Sequence, residues 1–268
     1  MQLANAVVAQ SSCNCLSPKV LLVSSRCETS TAFVAELKSS LSQIPAPPPY
    51  YPGTAKRYAD FCDAYAGRAT TIVSPPSAGA ASNAVERFGA PLPTLLVELN
   101  AEACGAKEMV LTREAFAPVF AIVWVDCAAE PAAYLDEAVR FCNERIWGNL
   151  SCTMLVHTAT HKAHEAAVER GIAQLNYGCV CVNAWSALGY TMETAAWGGH
   201  QPSNAFPHKV SSGMGLIRNC CLYDDVEKSV VRTPFRCAAH LSSNPKDLGA
   251  SPRALRIVAS VARWLAWL

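Results

Sequence analysis

Short apolar runs recur along the chain with helical stretches between most of them, and this alternation is what most narrows its fold. VLLV (20–23), LLVEL (95–99), VFAIVWV (119–125), CTMLVH (152–157) and CVCVN (179–183) have the length and composition of strands, several of them rich in β-branched residues. Helical periodicity marks residues 31–42, where Phe33, Leu37 and Leu41 step by four along one face, and residues 54–66, which present Tyr58, Phe61, Cys62 and Tyr65. The prolines at 45 and 47–49 stop the first of these, because proline cannot continue a helix. Pro131 opens a third helix to about Arg145, burying Tyr134, Leu135, Ala138 and Phe141, and residues 160–174 form a fourth. Strands alternating with helices of this length imply parallel βαβ units, hence an α/β fold with a mostly parallel sheet and flanking helices. The stretch 74–89, rich in Ala, Ser, Pro and Gly, is the least ordered interior region, and 197–215 is a polar, Gly-rich loop. Residues 222–232 alternate charged and apolar side chains as an exposed strand does. No internal repeat occurs.

Composition excludes several classes. With 51% hydrophobic and 16% charged residues over 268 positions, the chain can bury a sizeable core and is not of the disordered type. The same balance suggests that another domain or subunit covers part of its surface. A formal net charge of +1 offers no basis for a nucleic-acid surface. Thirteen cysteines, an odd number at irregular spacing, do not form a disulfide framework and point to a reducing, cytoplasmic setting. The N-terminus lacks the basic start and apolar run of a secretory signal. No stretch reaches the roughly 18 apolar residues of a spanning helix.

The sharpest local signal for chemistry is the turn 12–20, SCNCLSPKV, directly before an apolar strand. A cysteine held there is exposed while its neighbours fix the backbone, and backbone N–H groups or a nearby cation can stabilise the reactive thiolate. Two later segments give this turn a context. Residues 113–119, REAFAPV, resemble the E-x-F-G-P-V segment of aldehyde dehydrogenases, and 178–183, GCVCVN, resemble their G-x-V-x-V-N strand. Trp197-Gly198-Gly199 and 209–215, KVSSGMG, follow in the order of that family's P-F-G-G-x-K-x-S-G-x-G loop, and residues 138–143 with 147–150 resemble its A-x-x-x-A-N…Y-G-L element. In this register Cys15 matches the nucleophile turn, G-Q-x-C-x-x-P-K/R-x. The resemblance runs from about Cys13 to Arg232 and is nearest to a divergent bacterial-type group, through Asn14-Cys15…Lys19-Val20-Leu21 and Tyr50-Tyr51-Pro52-Gly53.

The resemblance implies oxidation of a small-molecule aldehyde to an acid through a Cys15 thiohemiacetal and thioester, with NAD or NADP as acceptor. It assigns Glu114 to the nicotinamide ribose, Phe116 to the nicotinamide ring and Asn183 to the substrate region. It also implies that residues 1–232 form an aldehyde dehydrogenase-like catalytic domain without most of its cofactor-binding half, and that 233–268 are a C-terminal extension. Ala117 stands where the family has glycine, and no G-x-G-x-x-G loop occurs. Two functions therefore stay open: an enzyme with little turnover as a single chain, completed by a complementary N-terminal chain, or a non-catalytic oligomerisation module derived from the fold. The segment 222–232 falls where the family adds a subunit-pairing strand, and a homo-oligomer and an intramolecular edge are equal readings of it.

The other candidates have no catalytic assignment. His157, His161 and His164 read as surface histidines rather than metal ligands, and Cys179 and Cys181 as two core thiols on one strand face. Cys220-Cys221 is given no role. The tail 252–268 is a basic amphipathic helix suited to protein contact or to peripheral contact with a membrane surface.

Overall fold

All seven residues of VFAIVWV are apolar, so this strand is stable only where both its faces are covered. In the computed structural model, which describes residues 2–75, 85, 88–127, 130–201, 212 and 215–235, it lies at the centre of the larger sheet. Four strands make up that sheet: β1 (Val20–Ser24), β2 (Ala69–Ile72), β3 (Thr94–Asn100) and β4 (Val119–Val125). Their order is β1-β4-β3-β2, with β4 parallel to both neighbours and β2 antiparallel at the edge.

Alternation along β4 assigns its side chains to two layers. Phe120 and Ile122 pack with Leu96 against Ala4 and Val7 of α1 (Gln2–Val8) and Val34, Leu37 and Leu41 of α2 (Ser30–Gln43). Val119, Ala121, Val123 and Val125 face the other way, onto Phe61 of α3 (Thr54–Ala64), Tyr65 just beyond it, and Phe141. A short helix, α4 (Met109–Thr112), adds Val110 and Leu111 to that second layer. Phe141 belongs to α5 (Pro131–Arg145), which starts with Pro131 at its first turn and the Glu130 carboxylate accepting from the Ala133 N–H. The buried residues of α5 are Val139 and Phe141, with Tyr134 and Leu135 partly covered. Phe33 is not on the buried face of α2: it is 41% exposed, and Val34 takes the inward position beside Leu37 and Leu41.

A second, wholly parallel sheet has the order β5-β6-β9, from β5 (Ser151–Met154), β6 (Cys179–Val182) and β9 (Ser229–Arg232). Its centre, β6, is buried on both faces. Val180 and Val182 pack on Val168 and Ile172, while Cys179 and Cys181 turn to Leu16, Trp197 and Val231. β5 is shorter than the run 152–157, because the Val156 N–H donates to the Asn183 side chain and Leu155 turns outward. The helix expected over 160–174 is two, α6 (Thr158–Ala163) and α7 (Glu165–Gln174), broken at His164. The break follows burial: α6 buries no side chain, whereas α7 lays Ala167, Val168 and Ile172 on the sheet. Of residues 222–232 only the last four form a strand, and they pair with β6 inside the chain. Lys228 leads into it with its ammonium on the carbonyls of Ala173 (2.6 Å) and Leu175 (2.7 Å), at the end of α7 where the helix dipole is negative.

The stretch 197–215 is not entirely loop. After a short helix, α8 (Ala187–Thr191), Trp197–Gly198 forms β7, antiparallel to β8 (Leu216–Arg218), and Trp197 is buried. Gly178 makes this crossing feasible, since a Cβ there would stand 2.0 Å from the Gly198 carbonyl oxygen. Most of 202–214, most of the interior stretch 76–87 and the amphipathic tail 252–268 lie outside the described residues. Among the described residues no helix is long and apolar enough to cross a membrane.

Candidate active site

The nucleophile turn is built on strained backbone. Gln10, Ser11 and Ser12 all have φ between +54 and +56°, a left-handed run that non-glycine residues rarely adopt. Tertiary bonds hold it: the Ser11 hydroxyl donates to the Pro47 carbonyl, the Ser12 hydroxyl to the Val7 carbonyl, and the Lys19 ammonium to the Ser12 carbonyl. Beyond the run, the Asn14 side chain accepts from the Leu16 N–H at 2.8 Å, and the Trp185 indole N–H donates to the Leu16 carbonyl at 2.6 Å. Leu16 thus plugs into the second sheet, and Cys15, one residue earlier, is left exposed.

The N–H groups of Cys13, Leu16 and Ser17 are all engaged within the turn. That of Cys15 lies against its own sulfur and favours the thiolate. The Ser17 hydroxyl is buried and has no hydrogen-bond partner among the described residues.

Glu114 and Phe116 lie on the loop between α4 and β4, which Arg57 of α3 clamps. Its guanidinium donates to the carbonyls of Ala115 (3.0 Å), Phe116 (3.2 Å) and Pro52 (3.0 Å) and to the Thr54 hydroxyl (3.1 Å). The buried thiol of Cys13 joins the same knot, 3.3 Å from the Thr54 hydroxyl and 3.4 Å from the Phe116 carbonyl. Phe116 takes a positive φ of 45°, and its ring meets Tyr51 edge-on at 4.9 Å. Arg57→Met leaves three backbone carbonyls without a charged donor. The variant is expected to lose about 1–3 kcal/mol in urea denaturation, and Arg57→Lys, lacking the planar fork, to recover little of it.

Cys15 and Glu114 are electrostatically joined. Neighbouring protein atoms push the Cys15 thiol above the ordinary thiol range although the residue is exposed, and the Glu114 carboxylate adds to this. The thiol's own N–H and the Lys19 ammonium act in the opposite sense. Glu114 is itself raised by partial desolvation, against Lys19 and Arg57. Burial brings Lys19 down to about 8, against the opposing charge of Glu114. Among the described residues, the exposed thiol most favoured to ionise is instead Cys27, whose sulfur receives hydrogen bonds from Thr29 and Ser30. The case for Cys15 is therefore one of placement, not of acidity.

Asn183 stands elsewhere. It ends β6 with φ 60°, its side-chain oxygen accepts from the Val156 N–H at 2.8 Å, and its amide reaches the Thr233 carbonyl at 3.5 Å. It ties strand ends together. His157 accepts from the Ala159 N–H, His164 pairs with Glu130 at 3.2 Å, and His161 lies 3.9 Å from Glu169. The Cys179 and Cys181 sulfurs are 3.8 Å apart in the core.

Three residues that organise this region had no assignment in the sequence. Lys19 and Arg57 are two of them. The third, Asn149, accepts on its carbonyl from Gly178 and His200 and bonds Ser212 through both its N–H and its side chain. Lys19 lay within the turn motif and Asn149 within the 147–150 segment, neither with a role attached, and nothing in the sequence singled out Arg57.

No protein-family model and no curated protein matches the sequence. Solved structures do match the fold. A salicylaldehyde dehydrogenase from Pseudomonas putida G7, complexed with salicylaldehyde, aligns with a TM-score of 0.54 at 18% identity, over 80% of this chain and 39% of that one. The chain has an aldehyde dehydrogenase fold. A betaine aldehyde dehydrogenase from Staphylococcus aureus in complex with NAD+ aligns at 0.54 and 17% identity, over 74% of this chain and 37% of that one. The glyceraldehyde-3-phosphate dehydrogenase GapN from Methanocaldococcus jannaschii, complexed with NADP, aligns at 0.53 and 15%, over 80% and 40%. The chain thus spans about two-fifths of the length of these dehydrogenases.

Proposed function

We propose that the chain carries the nucleophile of an aldehyde-oxidising site, with Cys15 as the residue that bonds to substrate and NAD or NADP as the electron acceptor. The observation that carries this reading is an exposed cysteine on a braced turn, within electrostatic reach of Glu114, on an aldehyde dehydrogenase fold. The Cys15 thiolate adds to the aldehyde carbonyl, forming a C–S bond and an oxyanion, and the N–H of Cys15 is a donor available to that oxyanion. The dinucleotide, when bound, supplies the acceptor for the hydride that leaves this carbon. The acyl group then held on sulfur is a thioester, which water cleaves to acid and free thiol.

The residues present fit the nicotinamide riboside end of that cofactor. The Glu114 carboxylate is exposed and makes no hydrogen bond or ion pair among the described residues, so it can accept from a ribose hydroxyl. Phe116, half-buried and fixed by Arg57, offers an aromatic edge on the same loop.

The test follows Cys15 by peptide mass mapping. Saturating aldehyde is expected to slow iodoacetamide alkylation of Cys15 and leave that of Cys27 unchanged, because the thiohemiacetal occupies only the former. With NAD+ or NADP+ also present, the adduct should become a hydroxylamine-sensitive thioester. Equal alkylation of Cys15 with and without aldehyde would sink the proposal and favour a non-catalytic module.

A further inference from the structure

We propose that Lys19 is a positioning residue for Cys15: its ammonium, tied back across the nucleophile turn to the Ser12 carbonyl, favours the thiolate against burial and the opposing charge of Glu114. The inference deepens the reading of Cys15 as nucleophile and rests on it.

The geometry begins with the left-handed run. Ser12 ends that run with φ +56°, and its carbonyl accepts from the Lys19 ammonium. The bond closes residues 12–19 into a ring that contains Cys15. Lys19 is also the last residue before β1, so its backbone is fixed by the sheet: its carbonyl accepts from the Ala121 N–H at 2.9 Å. With the backbone end fixed by the sheet, the ammonium leaves the turn only by giving up its bond to the Ser12 carbonyl. It has three donors, and among the described residues only the Ser12 carbonyl takes one.

The charges around it are few. Glu114, Cys13 and Cys15 face Lys19, Glu114 and Lys19 face Cys15, and Lys19 and Arg57 face Glu114. Tyr50 reaches the turn through its hydroxyl, which donates to the Cys13 carbonyl at 3.3 Å. Lys19 is thus the one cation acting on the Cys15 sulfur among the described residues, and Glu114 the one carboxylate.

The sign follows from where Lys19 titrates. With Lys19 lowered to about 8, the ammonium is mostly present near neutrality and mostly lost a unit above that value. Its support for the thiolate is therefore largest at neutral pH and fades as the medium becomes alkaline. The thiol and the amine release their protons as a coupled pair, so the fixed charge of an arginine at this position uncouples them.

The experiment measures Cys15 alkylation by iodoacetamide in the full chain, with S–C bond formation and iodide release read by peptide mapping and Cys27 as internal reference. At about pH 7.5, Lys19→Met is expected to slow Cys15 by roughly three- to ten-fold, since each pKa unit is tenfold in thiolate fraction. Glu114→Gln moves the rate in the opposite direction. Lys19→Arg should match the wild type near neutrality and exceed it at about pH 9.5, where the native lysine has lost its charge. If Lys19→Met does not fold, the Lys19→Arg profile decides. A Lys19→Arg profile superimposed on the wild type, or a Lys19→Met rate unchanged at neutral pH, overturns the proposal. Aldehyde protection of Cys15 reports separately: it can persist when the Lys19 effect is absent, and the Lys19 effect can persist when protection is absent.

Discussion

Cys15→Ser is expected to abolish covalent acylation of the chain, with a loss of about a thousand-fold or more. The reporting reaction is the attack of Cys15 on a p-nitrophenyl ester, which forms the S–C bond of a thioester, expels p-nitrophenolate and needs no dinucleotide. The wild type should release about one equivalent of p-nitrophenolate in an initial burst, with the acyl group mapped to Cys15. A serine hydroxyl is a weak nucleophile unless an adjacent base activates it. Among the described residues no histidine contributes to the charge around Cys15, so nothing there performs that activation. In the wild type the rate should still be climbing above the ordinary thiol range, because desolvation and Glu114 hold this thiol high. Cys27→Ser is the control: it removes the more acidic thiol and should leave the burst intact. A burst that survives Cys15→Ser and vanishes in Cys27→Ser assigns the nucleophile to the wrong turn.

The second large effect is on stability. Phe120 is completely buried at the centre of the larger sheet, opposite Leu96 in register and packed on the α1 and α2 layer. Truncation to alanine removes the ring and leaves a cavity between a sheet and two helices that share one core. A loss of about 3–5 kcal/mol is expected, read as a lower urea midpoint at unchanged slope. Phe33→Ala is its counterpart. The ring of Phe33 is 41% exposed, so the change should stay within about 0.5 kcal/mol. Comparable losses from the two variants would place Phe33 back on the buried face of α2 and contradict the packing described.

These two phenylalanines mark where local pattern stops being sufficient. On α2 the triad Phe33, Leu37, Leu41 and the triad Val34, Leu37, Leu41 both satisfy helical spacing. Periodicity fixes that a helix exists, not its rotation about its axis by part of a turn. Only the sheet surface beneath selects valine. The same holds for residues 160–174, where one periodic stretch becomes two helices because half of it has nothing to pack on.

In the site, Cys15 and Glu114 were legible as motif residues far apart in the chain, and the fold brings them within electrostatic reach. Asn183 was legible as a motif residue too, and its side chain is committed to strand ends. Arg57 carried no signal and Asn149 only a place in a motif segment without a role, because their partners are backbone carbonyls and N–H groups, which every residue possesses and no sequence pattern distinguishes.

The sequence by itself determined much of the element content: β4 reads as a buried strand because its seven apolar residues are mostly β-branched or aromatic, and Pro131 starts a helix because its missing N–H is no loss there. Tertiary structure alone decided which exposed thiol among the described residues sits beside a carboxylate and a lysine, and whether that lysine keeps its proton near neutrality. Those properties depend on burial and on charges brought close by distant elements, and neither quantity is a property of a local stretch of chain.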